Sequence, residues 1–175
     1  MKRKKRYIGI AIVVLAAGVV NSWWIVHPAI FKQNIPDGYA EGEYQGTDGV
    51  LMQSSYNDCG PAALQMIFDH YGIPSTVDEI ERTVQPKGDG VTMLALKRMA
   101  EEKGLRAEGW RLTLGDLTKA SFPLLLFVHN DHFVVGDSMD NRMIFLRDPA
   151  IGRIKMPTFN LPQIWRGETL IVAQK

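Results

Sequence analysis

The sequence predicts an α+β domain, in which N-terminal helices pack on an antiparallel sheet, preceded by one transmembrane helix. Three observations lead to this fold class. An uncharged apolar segment lies near the N-terminus, apolar residues at helical spacing follow, and short β-rich runs fill the second half. The length of 175 residues, with 46% hydrophobic and 22% charged residues, is typical of one globular domain. Helices first and antiparallel strands later are typical of the α+β class.

The N-terminus has the pattern of a membrane anchor. Residues 1–6 read MKRKKR, and residues 7–26 contain no charged side chain. About 20 apolar residues are enough for a helix to cross a ~30 Å hydrocarbon core. Trp23 and Trp24 lie near its far end, where aromatic side chains favour the membrane interface. The basic cluster should remain cytoplasmic, which predicts a single-pass protein of the inner (cytoplasmic) membrane with an extracytoplasmic domain.

Two other interpretations of this segment remain. A cleaved signal peptide would need a small-residue processing site, and the best one, at residues 20–22, is followed directly by the tryptophan pair. A buried core helix is the second alternative. A lipoprotein is excluded because no cysteine lies near position 20. Residues 27–50 are rich in glycine and proline and are predicted to form a linker, which either holds the domain off the membrane or packs against it as extended chain.

The remaining residues, 51–175, form the predicted domain. Its predicted helices cover residues 59–71, 77–84 and 93–103. Pro61 suits the first turn of the first helix, so Cys59 lies at or just before a helix N-terminus. The β-rich runs are residues 106–112, 123–128, 132–137, 143–147 and 169–173.

Charge and cysteine content exclude several classes of protein. Residues 1–32 carry six Lys and Arg and no acidic residue, which leaves 14 basic against 19 acidic residues for residues 33–175. A basic face for nucleic acid is therefore not expected on the domain. The single cysteine excludes an intramolecular disulfide and any zinc site with two or more thiolates.

Four residues could together perform thiol chemistry. The helix N-terminus favours the thiolate form of Cys59 and thereby makes it a nucleophile. His132 begins a β-rich run, where backbone pairing would hold a general base rigidly. Asp148 directly follows the next run and could orient the imidazole. Gln53 lies six residues before the cysteine, where its amide could stabilise an oxyanion together with the backbone N–H of Cys59.

Each of these residues also has a purely structural interpretation. A single cysteine is commonly a small buried hydrophobe. His132 could be a histidine of the core with its hydrogen bonds satisfied, and Asp148 before Pro149 could cap a turn. His129 and Asp131 are expected to be solvated loop residues. The order Gln, Cys, His, Asp nevertheless favours a thiol hydrolase.

The motifs resemble a known family. QSSYNDCGPA at residues 53–62 is similar to the cysteine motif of the bacteriocin-processing peptidases, the papain-like domains at the front of double-glycine-leader ABC exporters. HFVV at residue 132 resembles the histidine motif of that family, and DPAIG at residue 148 resembles its aspartate motif. The resemblance covers about residues 51–172.

The resemblance implies a papain-like fold in which Cys59 is the nucleophile, His132 the base and then the acid, Asp148 its orienting group and Gln53 the oxyanion donor. It implies no metal and no organic cofactor. Ala63 stands where the family commonly has a second cysteine. The phosphate-binding motif GxxxxGK[ST] of the exporters is absent from the sequence, and the predicted topology places the domain on the side of the membrane opposite to theirs.

The function predicted on this basis is that of a membrane-anchored thiol peptidase that cleaves a peptide or pro-peptide bond. Its partners would be a peptide or protein substrate, the membrane through the N-terminal helix, and a secretion or export system. The alternatives are an acyl transferase of the same fold and a non-catalytic peptide-binding module of a secretion system. The presence of Cys59, His132 and Asp148 favours the enzyme over the binding module.

Overall fold

The structure is a computed structural model that describes residues 39–55, 57–84 and 90–175. The predicted transmembrane helix, residues 7–26, lies outside the described residues. Within the described ranges, every helix is too short or too polar to span a membrane.

The described chain contains a seven-stranded sheet in which every neighbouring pair is antiparallel. Its strands are β1 (Glu43–Tyr44), β2 (Arg106–Arg111), β3 (Leu124–Val128), β4 (His132–Met139), β5 (Met143–Asp148), β6 (Gly152–Pro157) and β7 (Trp165–Ala173). Their order across the sheet is β1-β6-β5-β4-β3-β7-β2. The strands from β3 to β6 are consecutive hairpins, which places His132 and Asp148 on adjacent strands.

The helices are α1 (Cys59–His70), α2 (Val77–Val84), α3 (Met93–Glu102) and the single turn α4 (Leu114–Leu117), with a 3₁₀ helix at Thr158–Gln163. α1 is buried from Cys59 to Phe68 and packs on β4. The first three helices begin at the positions that the sequence predicts. Helices packed on an antiparallel sheet confirm the predicted α+β class.

Side chains alternate between two hydrophobic cores on the two faces of the sheet, as strand geometry requires. Leu125 packs with α1 and α3, whereas its neighbours Leu124 and Leu126 belong to the core on the opposite face. The second core is closed by Leu161 and Ile164 from the segment before β7. Both faces of β3 are therefore buried, which explains its continuous run of apolar residues.

Residues 39–50, which the sequence assigns to the linker, pack against the domain. β1 pairs with β6, and the pairing continues beyond β1 because Gln45 N–H donates to the Arg153 carbonyl at 2.8 Å. The Arg153 N–H returns a bond to the Gly46 carbonyl at 2.7 Å. Gly152 is required at this contact, since a Cβ there would lie 2.6 Å from the Gly46 oxygen. The start of this segment, at Tyr39, is 3% exposed.

Candidate active site

The N-terminus of α1 brings Cys59 to the sheet. The glycine that follows it allows this close approach, because a Cβ on Gly60 would lie 2.3 Å from Val91 and 3.2 Å from Phe133. Phe133 is the neighbour of His132 on β4. Cys59 is 6% exposed, and its side chain lies close enough to His132 to raise the pKa of that imidazole. A glycine in the motif therefore sets the distance between the thiol and the histidine strand.

His132 and Asp148 form a hydrogen-bonded pair in which the imidazole is half-buried and the carboxylate is buried. The first residue of β4 and the last residue of β5 lie at the same end of the strands, since the two strands are antiparallel neighbours. His132 Nε2 lies 2.7 Å from Asp148 Oδ1, and the carboxylate side chain is 1% exposed. Because Nε2 faces the carboxylate, Nδ1 is the ring nitrogen left for the contact with Cys59.

Asp148 is held as a carboxylate by three donors. Oδ1 also accepts the Ala150 N–H at 2.7 Å, and Oδ2 accepts the hydroxyl of Tyr39 at 2.6 Å. Burial raises the pKa of Asp148, but the bonds from His132, Tyr39 and Ala150 outweigh it and leave that pKa below its usual value. Burial and the neighbouring carboxylate raise the pKa of Tyr39, so its hydroxyl remains a donor.

The same contacts favour the imidazolium form of His132. Burial lowers the pKa of this imidazole, but its hydrogen bonds to Asp148 and Cys59 and the charges of both groups raise it to about 10. An imidazolium beside a thiol stabilises the thiolate, which is the reactive form of cysteine.

Gln53 is tied to both sides of this arrangement. Its backbone N–H donates to the Pro149 carbonyl at 2.8 Å, directly after Asp148. Its side-chain Nε2 donates to the Ser55 carbonyl at 3.0 Å, which uses one of its two amide protons. Among the described residues, its buried Oε1 meets no hydrogen-bond partner.

The buried carboxylate of Asp58 organises the loop around Gln53. It accepts bonds from the backbone N–H and the hydroxyl of Ser54, both at 2.8 Å, and from the Ser55 N–H at 3.1 Å. Asp58 occupies the N-cap position of α1, yet its carboxylate faces the loop before the helix and makes no capping bond to the described part of α1. The residue before the nucleophile thus shapes the segment that carries Gln53.

A cavity of about 370 Å³ adjoins the His132–Asp148 pair. Its lining residues are Tyr39, Gln53, His129, Asp131, His132, Asp148, Ala150 and Ile151. His129 lies in a turn, as predicted, but it is only partly solvated, because its ring packs edge-on against Tyr39 with centroids 5.4 Å apart and its Nε2 is buried. Asp131 is exposed, as predicted. Burial and the neighbouring His132 charge lower the pKa of His129.

The arrangement therefore places an imidazolium, a buried carboxylate and a side-chain amide around one cavity, with the thiol of Cys59 beside the imidazole. These are the parts that nucleophilic acyl transfer needs. In the part of the chain that the structure describes, no group of three His, Cys, Asp or Glu side chains is placed to hold a metal ion. The sequence pattern did not identify Tyr39, which lies in the predicted linker without a recognisable motif.

Comparison with known proteins identifies the family. A family model described as the Peptidase C39 family matches residues 48–175. An uncharacterised protein of Methanothermobacter thermautotrophicus is 35% identical over 127 residues, which cover 73% of this chain and 89% of that protein. The transport/processing ATP-binding protein ComA of Streptococcus pneumoniae is 31% identical over 124 residues, which cover 66% of this chain but 17% of ComA.

The fold agrees with this match. The solved structure of a double-glycine-motif protease from an AMS/PCAT transporter, in complex with the leader peptide, superposes with a TM-score of 0.68. It is 25% identical in sequence, and the alignment covers 81% of this chain and 97% of that one. The chain therefore belongs to the Peptidase C39 family of cysteine peptidases.

Proposed function

We propose that this protein is a cysteine peptidase that cleaves a peptide through Cys59, His132, Asp148 and Gln53. The observation that carries the proposal is the 2.7 Å contact between His132 Nε2 and Asp148 Oδ1, which leaves the other ring nitrogen, Nδ1, for Cys59. An isolated buried thiol or a turn-capping aspartate would not require this arrangement.

In the first half of the reaction, the Cys59 thiolate attacks the carbonyl carbon of the scissile bond. A C–S bond forms and the carbonyl oxygen becomes an oxyanion. The second amide proton of Gln53 and the backbone N–H of Cys59, at the head of α1, donate to that oxygen. His132 then gives its Nδ1 proton to the leaving nitrogen, and the C–N bond breaks.

In the second half, His132 is the general base. It accepts a proton from water, whose oxygen attacks the thioester carbon. The C–S bond breaks, the acid product leaves, and the thiolate–imidazolium pair is restored. Throughout both halves, Asp148 holds His132 in the tautomer whose Nε2–H faces the carboxylate.

The proposed substrate is a peptide that carries a double-glycine leader. The related protease has been solved with a leader peptide bound, and ComA is a transport and processing protein. We further propose that residues 7–26 anchor this domain in the cytoplasmic membrane and place it outside the cytoplasm. In that location the domain would meet its substrate after or during export.

The test is cleavage of a synthetic double-glycine leader peptide by the full-length protein in detergent micelles, followed by mass spectrometry. Wild type should release the leader, and Cys59→Ala should bind the peptide without cutting it. A matched peptide with both glycines replaced by valine should resist cleavage. If wild type and Cys59→Ala bind the peptide equally and neither cuts it, the domain is a binding module and the peptidase proposal fails.

The location is tested separately. A phosphatase reporter fused after Lys175 should be active in a bacterial host, because that enzyme folds only outside the cytoplasm. A cytoplasmic reporter at the same site should be inactive. The reverse result would place the domain in the cytoplasm and contradict the proposed topology without affecting the chemistry.

A further inference from the structure

The hydrogen bond from Tyr39 to Asp148 joins the active site to a segment outside the matched family region. The family model begins at residue 48, whereas Tyr39 lies nine positions earlier. Its hydroxyl nevertheless approaches Asp148 Oδ2 to 2.6 Å, and both residues are buried, with 3% and 1% exposed. A contact between residues 109 positions apart in the chain is a product of the tertiary fold.

This bond completes the hydrogen bonding of the carboxylate. Oδ1 receives both His132 Nε2 and the Ala150 N–H, each at 2.7 Å. Among the described residues, Tyr39 supplies the bond to Oδ2. A carboxylate with donors on both oxygens cannot rotate about its Cβ–Cγ bond without losing one of them. The Tyr39 hydroxyl therefore fixes the plane in which Oδ1 meets His132.

The position of Tyr39 is itself fixed by contacts that do not involve Asp148. The Gly42 N–H donates to the Tyr39 carbonyl at 2.7 Å, and a Cβ at Gly42 would lie 2.8 Å from that oxygen. The buried side chain of Asn160 donates to the Ala40 carbonyl at 2.8 Å. The ring of Tyr39 packs edge-on against His129. These contacts fix the position of the Tyr39 hydroxyl independently of its bond to Asp148.

We infer that Tyr39 is a positioning residue for the His132–Asp148 pair, and that the segment before the family domain thereby completes the active site. The inference rests on the proposed peptidase function. It implies that Tyr39 acts through Asp148 on the orientation of His132, while the ring of Tyr39 contributes separately to packing. Removal of the hydroxyl alone should then impair catalysis without unfolding the domain.

Tyr39→Phe in the full-length protein tests this inference, because it removes the hydroxyl and keeps the ring. The matched control is Tyr71→Phe, which deletes another tyrosine hydroxyl that donates at 2.8 Å, in this case to the Val172 carbonyl on β7. With the leader peptide as substrate, Tyr39→Phe should lower kcat roughly tenfold and leave KM unchanged. Tyr71→Phe should change neither constant.

The pH dependence separates positioning from a general loss of stability. Without the Tyr39 hydroxyl, Oδ2 loses a donor and the carboxylate accepts a proton more readily. The acidic limb of the kcat/KM profile should therefore rise by about one pH unit in Tyr39→Phe and remain in place in Tyr71→Phe. The other titratable groups of the cavity, His129 and Asp131, are the same in both variants.

A second readout does not depend on turnover. The ¹⁵N signals of the His132 ring, followed against pH, report protonation of Asp148 through the hydrogen bond to Nε2. A higher acidic midpoint in Tyr39→Phe supports the inference even if no peptide is cut, a result that would overturn only the peptidase proposal. An unchanged midpoint in Tyr39→Phe, with a wild-type pH profile of activity, would overturn the inference.

Discussion

The His132–Asp148 pair and the loop that carries Gln53 differ in how they hold their polar groups. His132 and Asp148 lie on paired strands, and each oxygen of the carboxylate has a donor among the described residues. Gln53 lies on irregular chain, where its amide donates to its own loop and its Oε1 is buried without a described partner. In the proposed mechanism, the His132–Asp148 pair is therefore preformed, whereas Gln53 keeps its second amide proton for a substrate oxygen.

This difference indicates which hydrogen bonds are already formed before a substrate binds. Backbone pairing fixes the histidine and the aspartate at no further cost to catalysis. The Oε1 of Gln53 meets no hydrogen-bond partner among the described residues, so this side chain is held less firmly than a fully bonded amide. The side chain of Gln53 is therefore expected to rotate more easily than that of Asp148.

The largest effect is expected when the His132–Asp148 pair is removed. His132→Ala removes the group proposed as base, acid and partner of the thiolate, so turnover of the leader peptide should fall by about 10⁴–10⁶. Alkylation of Cys59 by iodoacetamide near pH 6 should also become slow. Cys59 is the only thiol in the chain, so this reaction reports on it alone. Rapid alkylation of the variant at pH 6 would contradict the proposed thiolate–imidazolium pair.

A smaller effect is expected when the side-chain amide of Gln53 is removed. Gln53→Ala removes one oxyanion donor, which should lower turnover by about 10²–10³. The rate of Cys59 alkylation should stay at the wild-type value at each pH, because the contact between Cys59 and His132 is retained. If alkylation falls as far as turnover does, Gln53 shapes the site and does not donate to the oxyanion.

The His132–Asp148 pair should also make the stability of the domain depend on pH. The folded-state pKa of His132 is raised from 6.5 to about 10, so its contribution is fully present below about pH 6.5 and is lost as the pH rises through 10. The free energy of unfolding should therefore decrease steadily over this range. Urea denaturation at several pH values measures the change, and His132→Gln should show a flatter profile above pH 6.5.

The smallest effect is expected from the support of the loop. Asp58→Ala leaves the Ser54 and Ser55 donors without their carboxylate, which should lower turnover roughly tenfold through a displaced Gln53. Asp69→Ala is the matched control, since that carboxylate accepts the Gln65 amide at the other end of α1. Equal losses of turnover in the two variants would show that Asp58 contributes only to general stability.

The sequence predicted the elements that carry strong local signals. Cys59 and His132 begin elements at their predicted positions, and the regular spacing of apolar residues located α1 and β4. β6 was not predicted although its buried residues alternate with charged ones, because the run begins with glycine and ends with proline, which are typical of turns. The single-turn α4 and the two-residue β1 are too short to produce any periodicity.

The same limit applies to the site. Gln53, Cys59, His132 and Asp148 stand out because each lies at a fixed place in a motif. Tyr39 and His129 carry no such pattern, and their positions near Asp148 depend on contacts formed by the whole fold. Asp58 was visible in the cysteine motif, but its role became evident only from the direction of its carboxylate, toward the loop and away from the helix.

The separation of these residues along the chain also bears on the order in which the site assembles during folding. His132 and Asp148 are 16 residues apart on one hairpin, whereas Tyr39 and Asp148 are 109 residues apart. Closing the longer loop costs more entropy and waits for the intervening structure. We expect pulsed hydrogen exchange during refolding to protect β4 and β5 before the amides around Tyr39. Simultaneous protection of both regions would contradict this order. In the expected order, Asp148 contacts His132 early in folding, and Tyr39 binds Asp148 late.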